Sequence, residues 1–184
     1  IFCLHRDNRD VPVDEFIDAL SDIRDEGLID IFGASNWELD RFSSARANAI
    51  KNKKEPFSAL SNNFSLAEMM QPVWPGCVGV NENFLEYIIN EKILLFPWSS
   101  QARGFFIKKK EQISNGHFSN PTLDEEMRVW HYEKNLKRRE KCFELAEKKS
   151  VEPIQIALAY VLHQSDLIFP LIGPRTLSET NSSI

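Results

Sequence analysis

Five short strand-like runs, Ile1–Leu4, Leu28–Phe32, Phe57–Ser61, Ile93–Phe96 and Leu167–Ile172, are separated by segments long enough for helices. That alternation is the strongest constraint on the fold. Parallel strands cannot be joined by a tight turn, so each needs a crossover of a dozen or more residues, and a helix supplies it. Phe16, Ile17, Leu20 and Ile23 recur at helical spacing behind Pro12 and stop at Gly27. Further helices are expected over about 38–52, 81–90, 133–149 and 153–164, the last with Pro153 in its first turn. The pattern predicts an α/β fold built on a parallel sheet.

The turns divide into two kinds. Those that follow the runs are polar or glycine-rich: His5-Arg6-Asp7, Gly33-Ala34-Ser35-Asn36-Trp37, Asn62-Asn63-Phe64-Ser65-Leu66, Pro97 to Gly104, and Gly173-Pro174-Arg175-Thr176. Those that precede them, such as Glu26-Gly27 and Asn90-Glu91-Lys92, carry nothing chemically pointed. A single loaded rim is what a (β/α) barrel presents, although five strands are too few to close one. His5 stands at that rim, where an imidazole can donate to a substrate carbonyl or act as general acid or base. Trp98, Ser99, Gln101, Arg103 and Gly104 fall within seven residues of each other, a set that suits a flat ring and a phosphate. Arg175 follows the last run, where barrels bind phosphate and where a guanidinium can pair with it bidentately. Ser35 and Asn36 can grip an amide or hydroxyl, or simply form a helix-capping turn. There is no Gly-x-Gly-x-x-Gly and no Walker loop, which excludes a Rossmann or P-loop vehicle.

Composition removes several function classes. The net charge is −5, which argues against a nucleic-acid surface. The basic cluster Lys137-Arg138-Arg139 with Lys141 is interleaved with Glu133, Glu140 and Glu144 and reads as a solvated helix face. The three cysteines have no metal-ligand spacing and fit reduced thiols, so a cytoplasmic protein is expected. No apolar run approaches the roughly 20 residues of a membrane span. Oligomeric state is not legible.

In order and spacing, Leu4-His5-Arg6-Asp7, Phe32 to Trp37, Phe64-Ser65-Leu66, Pro97 to Gly104 and Ile172 to Thr176 resemble the aldo-keto reductases across essentially all 184 residues. The resemblance implies the C-terminal part of a TIM (β/α)8 barrel, from its fourth strand to its eighth. Residues 1–184 would be a partial domain, truncated at both ends. It further implies reduction of aldehydes or ketones to alcohols by direct hydride transfer from NADP(H), with a small-molecule carbonyl substrate. His5 falls on the histidine of the family's catalytic tetrad, whose Asp, Tyr and Lys come earlier in such proteins, so the chain alone is expected to be inactive. Ser35 and Asn36 would hold the nicotinamide carboxamide, and Trp98 would stack on its ring. Ser99, Gln101, Arg103 and Gly104 would border the pyrophosphate. Gly173, Arg175 and Thr176 would face the 2′-phosphate, with Glu179 and Ser183 toward the adenine. Three positions depart from the family's pattern. Ser61 stands where a Gln is usual, Glu179 where a Gln or Arg is common, and Ser183 where an Asn is. They bear on the preference for NADP over NAD. A second expectation is a nucleotide-binding subunit without turnover, of the kind associated with potassium channels.

Overall fold

The computed structural model describes residues 1–107 and 128–183. Strand and helix alternate as the patterning requires. The order is β1 (Phe2–Leu4), α1 (Val13–Asp25), β2 (Phe32–Ser35), α2 (Leu39–Lys51), β3 (Ala59–Ser61), α3 (Glu82–Asn90) and β4 (Leu94–Leu95). Then come α4 (Glu133–Lys149), α5 (Pro153–Leu162) and α6 (Leu177–Ser183). The four strands form one parallel sheet in the order β1-β2-β3-β4. Each lies beside its predecessor, which is the order of a barrel wall and not of a doubly wound sheet. The polar excursion read over Lys108–Leu123 lies outside the described residues.

Two runs are corrected by the structure. Leu28–Phe32 is not the second strand, and Leu28 is 70% exposed. Gly27, at φ +75°, reverses the chain behind α1, and the Leu28 N–H bonds to the Ile23 carbonyl at 3.2 Å. The strand is the next stretch, Phe32-Gly33-Ala34-Ser35, buried at every position. Its second residue is a glycine because the neighbouring backbone of Ala59 is close. The fifth run, Leu167–Ile172, makes a single parallel bridge, from Ile168 to Leu95. The Leu95 and Phe169 N–H groups bond across it, and Leu171 N–H reaches the Pro97 carbonyl at 3.0 Å. Pro97 has no N–H to complete the rung between them, so this run accompanies β4 without becoming a regular strand.

The main core joins the sheet to α1, α2 and α3 through Ile17, Leu20, Phe42, Leu60, Phe84 and Ile88. Its centre is aromatic: the Trp37 and Phe57 rings meet edge-on at 5.2 Å, and Phe42 stacks on Phe57 at 5.6 Å. Arg46 is buried beside them, its guanidinium donating to the Phe57 carbonyl and to Glu91 Oε2 at 3.1 Å. Helix starts follow their caps. Asn81 accepts the Phe84 N–H at 2.9 Å, and a Glu152–Gln155 capping box opens α5 at Pro153.

A second core gathers Phe105, Phe106, Trp130, Cys142 and Ala157. Here the basic cluster of α4 differs from its reading as a solvated face. Lys137 is exposed, but Arg138 donates to the Leu66 carbonyl at 3.1 Å. Arg139 donates to the carbonyls of Phe105 and Ile107 and lies over the rings of Phe105 and Phe143. The two arginines staple loops to the helix, with their stems along apolar surface. Burial pushes the Cys142 thiol up to about 11, and its Sγ donates to the Pro153 carbonyl at 3.2 Å. Between pH 9 and pH 11 the unfolded thiol therefore loses its proton while the folded one keeps it, and stability falls as pH rises. Denaturant melts of the wild type and Cys142→Ala, compared at pH 8 and pH 10.5, should show a steeper alkaline loss in the wild type. Equal losses would refute the linkage.

Candidate functional site

Past the C-terminal ends of the strands, side chains take over from the backbone ladder. Ser35 Oγ donates to the Ser61 carbonyl at 2.7 Å, and Ser61 Oγ to the Phe96 carbonyl at 2.9 Å. Asn63 Nδ2 donates to the Trp98 carbonyl at 3.0 Å. Asn36, in the left-handed region at φ +58°, donates from Nδ2 to Ser35 Oγ at 3.0 Å and to the His5 carbonyl at 3.5 Å. Its Oδ1 accepts the Val78 N–H at 3.2 Å. Beneath these lies Asn62, fully buried, accepting the Asn36 N–H at 2.7 Å and donating to the Trp37 carbonyl at 2.8 Å. The rim is thus tied strand to strand from β1 to β4.

Beyond β4 the chain turns through Ala102, Arg103 and Gly104, all at positive φ. For the two non-glycines that conformation costs about 1–2 kcal/mol each. Phe105 and Phe106, fully buried, anchor the turn from behind. Arg103 sits over the Trp74 ring at 5.1 Å, which ties the turn to the loop over 67–79. The turn forms one wall of a cavity of about 810 Å³, a volume in the range of small-molecule sites. The opposite wall comes from the chain leading into α6 and from the start of α5.

The cavity brings together Trp98, Ser99, Gln101, Arg103 and Gly104 from one side and Gly173, Arg175, Glu179 and Ser183 from the other. Thr176 is beside it, capping α6 by accepting the Glu179 N–H at 3.1 Å. The structure does not bring His5, Ser35, Asn36 or Ser61 to that lining. Ser35, Asn36 and Ser61 are at the rim, their polar groups engaged with neighbouring strands. The His5 side chain is exposed at the end of β1. Its neighbours are structural: Arg41 Nε meets both oxygens of Asp7 at 3.1 and 3.2 Å, and Arg6 donates to Cys77 Sγ at 3.7 Å. In the sequence Asn62 belongs to the polar turn after the third run, and the doubled Asn there is its one signal.

Three observations bear on whether a dinucleotide fits. Trp98 Nε1 and Gln101 Nε2 are buried with no hydrogen-bond partner among the described residues. A Cβ on Gly173 would meet nothing within 4 Å, so the backbone there is open to a ligand. Arg175 is 89% exposed and can reach an anion. An aromatic face, unspent donors and cations in one cavity suit a nicotinamide dinucleotide.

The Aldo/keto reductase family model matches residues 1–184. Versiconal hemiacetal acetate reductase of Aspergillus parasiticus is 25% identical over 190 residues, covering 98% of this chain and 50% of that protein. Norsolorinic acid reductase A of the same species is 25% identical over 174 residues, covering 94% of this chain and 40% of the relative. Among solved structures, a glycerol dehydrogenase from Gluconobacter oxydans superposes with a TM-score of 0.70 at 16% identity, covering 97% of this chain and 50% of that one. The chain thus spans about half the length of the relatives it matches, and its sheet is part of a TIM barrel. With a family match running from the first residue to the last, and strands in barrel order behind it, the chain belongs to the Aldo/keto reductase family.

Proposed function

We propose that the chain is the cofactor-binding part of an NADP(H)-dependent reductase that converts aldehydes or ketones to alcohols. The observation that carries this reading is the cavity between the 98–104 turn and α6, with its unspent indole and amide donors and its two arginines. Trp98 would stack on the nicotinamide, Ser99, Gln101, Arg103 and Gly104 would border the pyrophosphate, and Gly173, Arg175 and Thr176 would face the 2′-phosphate. Ser35, Asn36 and Ser61, engaged with neighbouring strands, would shape the rim beside the carboxamide. The bound dinucleotide supplies the hydride. His5 would donate a hydrogen bond to the carbonyl oxygen, holding it for proton transfer. In this reading the acid Tyr, with its Lys and Asp, belongs to βα units ahead of β1. The 184 residues alone are then expected to bind the dinucleotide without turnover. Relatives named as reductases support the direction of the reaction, and three free thiols suit a reducing cytoplasm.

Titration of the chain with NADPH, followed by nicotinamide fluorescence, tests the reading. Saturable binding is expected, and Trp98→Leu should weaken it about fivefold, since an aromatic stack contributes roughly 1 kcal/mol. No saturable signal in the folded wild type would remove the proposal.

A further inference from the structure

Among the described residues, the charges of the cavity are balanced and do not by themselves select a phosphorylated ribose over a plain one. They are Arg103 and Arg175 against Glu152 and Glu179. Glu179 is not a bystander to Arg175. Its Oε2 accepts the Arg175 backbone N–H at 2.6 Å, and its Oε1 is 3.6 Å from the Arg175 guanidinium. Both the main-chain donor and the cation that an incoming phosphate would use are therefore already turned toward a carboxylate of the same chain. The contact is built into the start of α6. Thr176 accepts the Glu179 N–H while the Glu179 side chain reaches back past it to the N–H of the preceding residue, so only the Thr176 half is that of a capping box. Folding of that helix start thus carries the carboxylate to Arg175.

We infer that Glu179 sets the choice of dinucleotide by acting as an internal anion on Arg175, so that the site accepts an unphosphorylated ribose as readily as a 2′-phosphate. The inference rests on the cofactor site proposed above and concerns only its adenosine end. A 2′-phosphate brings roughly two negative charges beside the carboxylate and must take Arg175 from it. A 2′-hydroxyl brings no charge and can donate to the carboxylate, the way acidic residues recognise the ribose of NAD elsewhere.

The test uses the whole chain and two probes, adenosine 2′,5′-bisphosphate and adenosine 5′-monophosphate, with affinities measured by calorimetry. The wild type should bind the two with affinities within about threefold of each other. Glu179→Gln keeps an acceptor for the Arg175 N–H but removes the charge. It should raise the preference for the bisphosphate about tenfold. Adding Arg175→Met to Glu179→Gln should return the ratio to near its wild-type value, and circular dichroism checks that each variant is folded. A wild type that already prefers the bisphosphate by thirtyfold or more, or a ratio unmoved by Glu179→Gln, would overturn the inference while leaving the cofactor site standing. Failure of both probes and of NADPH to bind the folded wild type would overturn the site itself, and this inference with it.

Discussion

Gly33→Ala is expected to come close to unfolding the chain, with a loss of more than about 3 kcal/mol, at or beyond the upper end of overpacking penalties. A Cβ at Gly33 would lie 1.9 Å from the Ala59 carbonyl oxygen, 2.5 Å from its carbon and 2.9 Å from its Cα. These are backbone atoms, so no rotamer change relieves the contact. Gly33 pairs with Cys3 on one side and Ala59 on the other, in the middle of the sheet. Relief means parting β2 from β3, which breaks the ladder and opens the packing of Phe32, Ala34 and Leu60. A domain whose whole stability is about 5–15 kcal/mol has little margin for that. Urea denaturation of the two proteins decides it: a midpoint shift worth under about 1 kcal/mol would mean that the strands are not so closely set.

The second large effect is expected at Asn62. Replacing it with Ala leaves the Asn36 N–H and the Trp37 carbonyl without partners in a dry interior. Each buried orphan costs about 1–3 kcal/mol, so a loss of about 2–6 kcal/mol should follow. Asn36 is held at positive φ partly by that bond, so the rim should slacken as well, and Asn62→Ala should show a weakened near-ultraviolet signal from Trp37. If Asn62→Ala melts within about 1 kcal/mol of wild type, the ladder is not what organises the rim.

Much of the architecture was legible in the chain because it rests on local signals. The helical spacing behind Pro12, the Pro and Glu-x-x-Gln at the start of α5 and the crossover lengths each act over a few residues, and the observed helices follow them. The errors arose where a neighbour distant in sequence made the decision. The run Leu28–Phe32 looked more strand-like than Phe32–Ser35. Apolar character marks burial, but the crowding of Ala59 at position 33 requires a glycine in the strand. Leu167–Ile172 reads as a good strand by itself, and the missing rung comes from Pro97 on its neighbour. Arg138 and Arg139 have the composition of a solvated face, yet orphan carbonyls of Leu66, Phe105 and Ile107 draw them inward.

The candidate site divides in the same way. That Trp98, Arg103 and Arg175 sit at strand ends followed from the run-and-turn pattern alone, since alternating strands and helices place every such turn on one rim. That the turn after β4 and the start of α6 enclose a common cavity, while Ser35, Asn36 and Ser61 tie strands together outside its lining, was decided only by tertiary structure. So was the meeting of the Glu179 carboxylate with Arg175, although its Thr-x-x-Glu spacing is written in the chain. The amino-acid order alone settled which elements form and in what succession, because helix starts, turns and crossovers are short-range. Which polar groups remain free for a ligand depended on what each one meets across the fold, because every buried donor and acceptor must find a partner there.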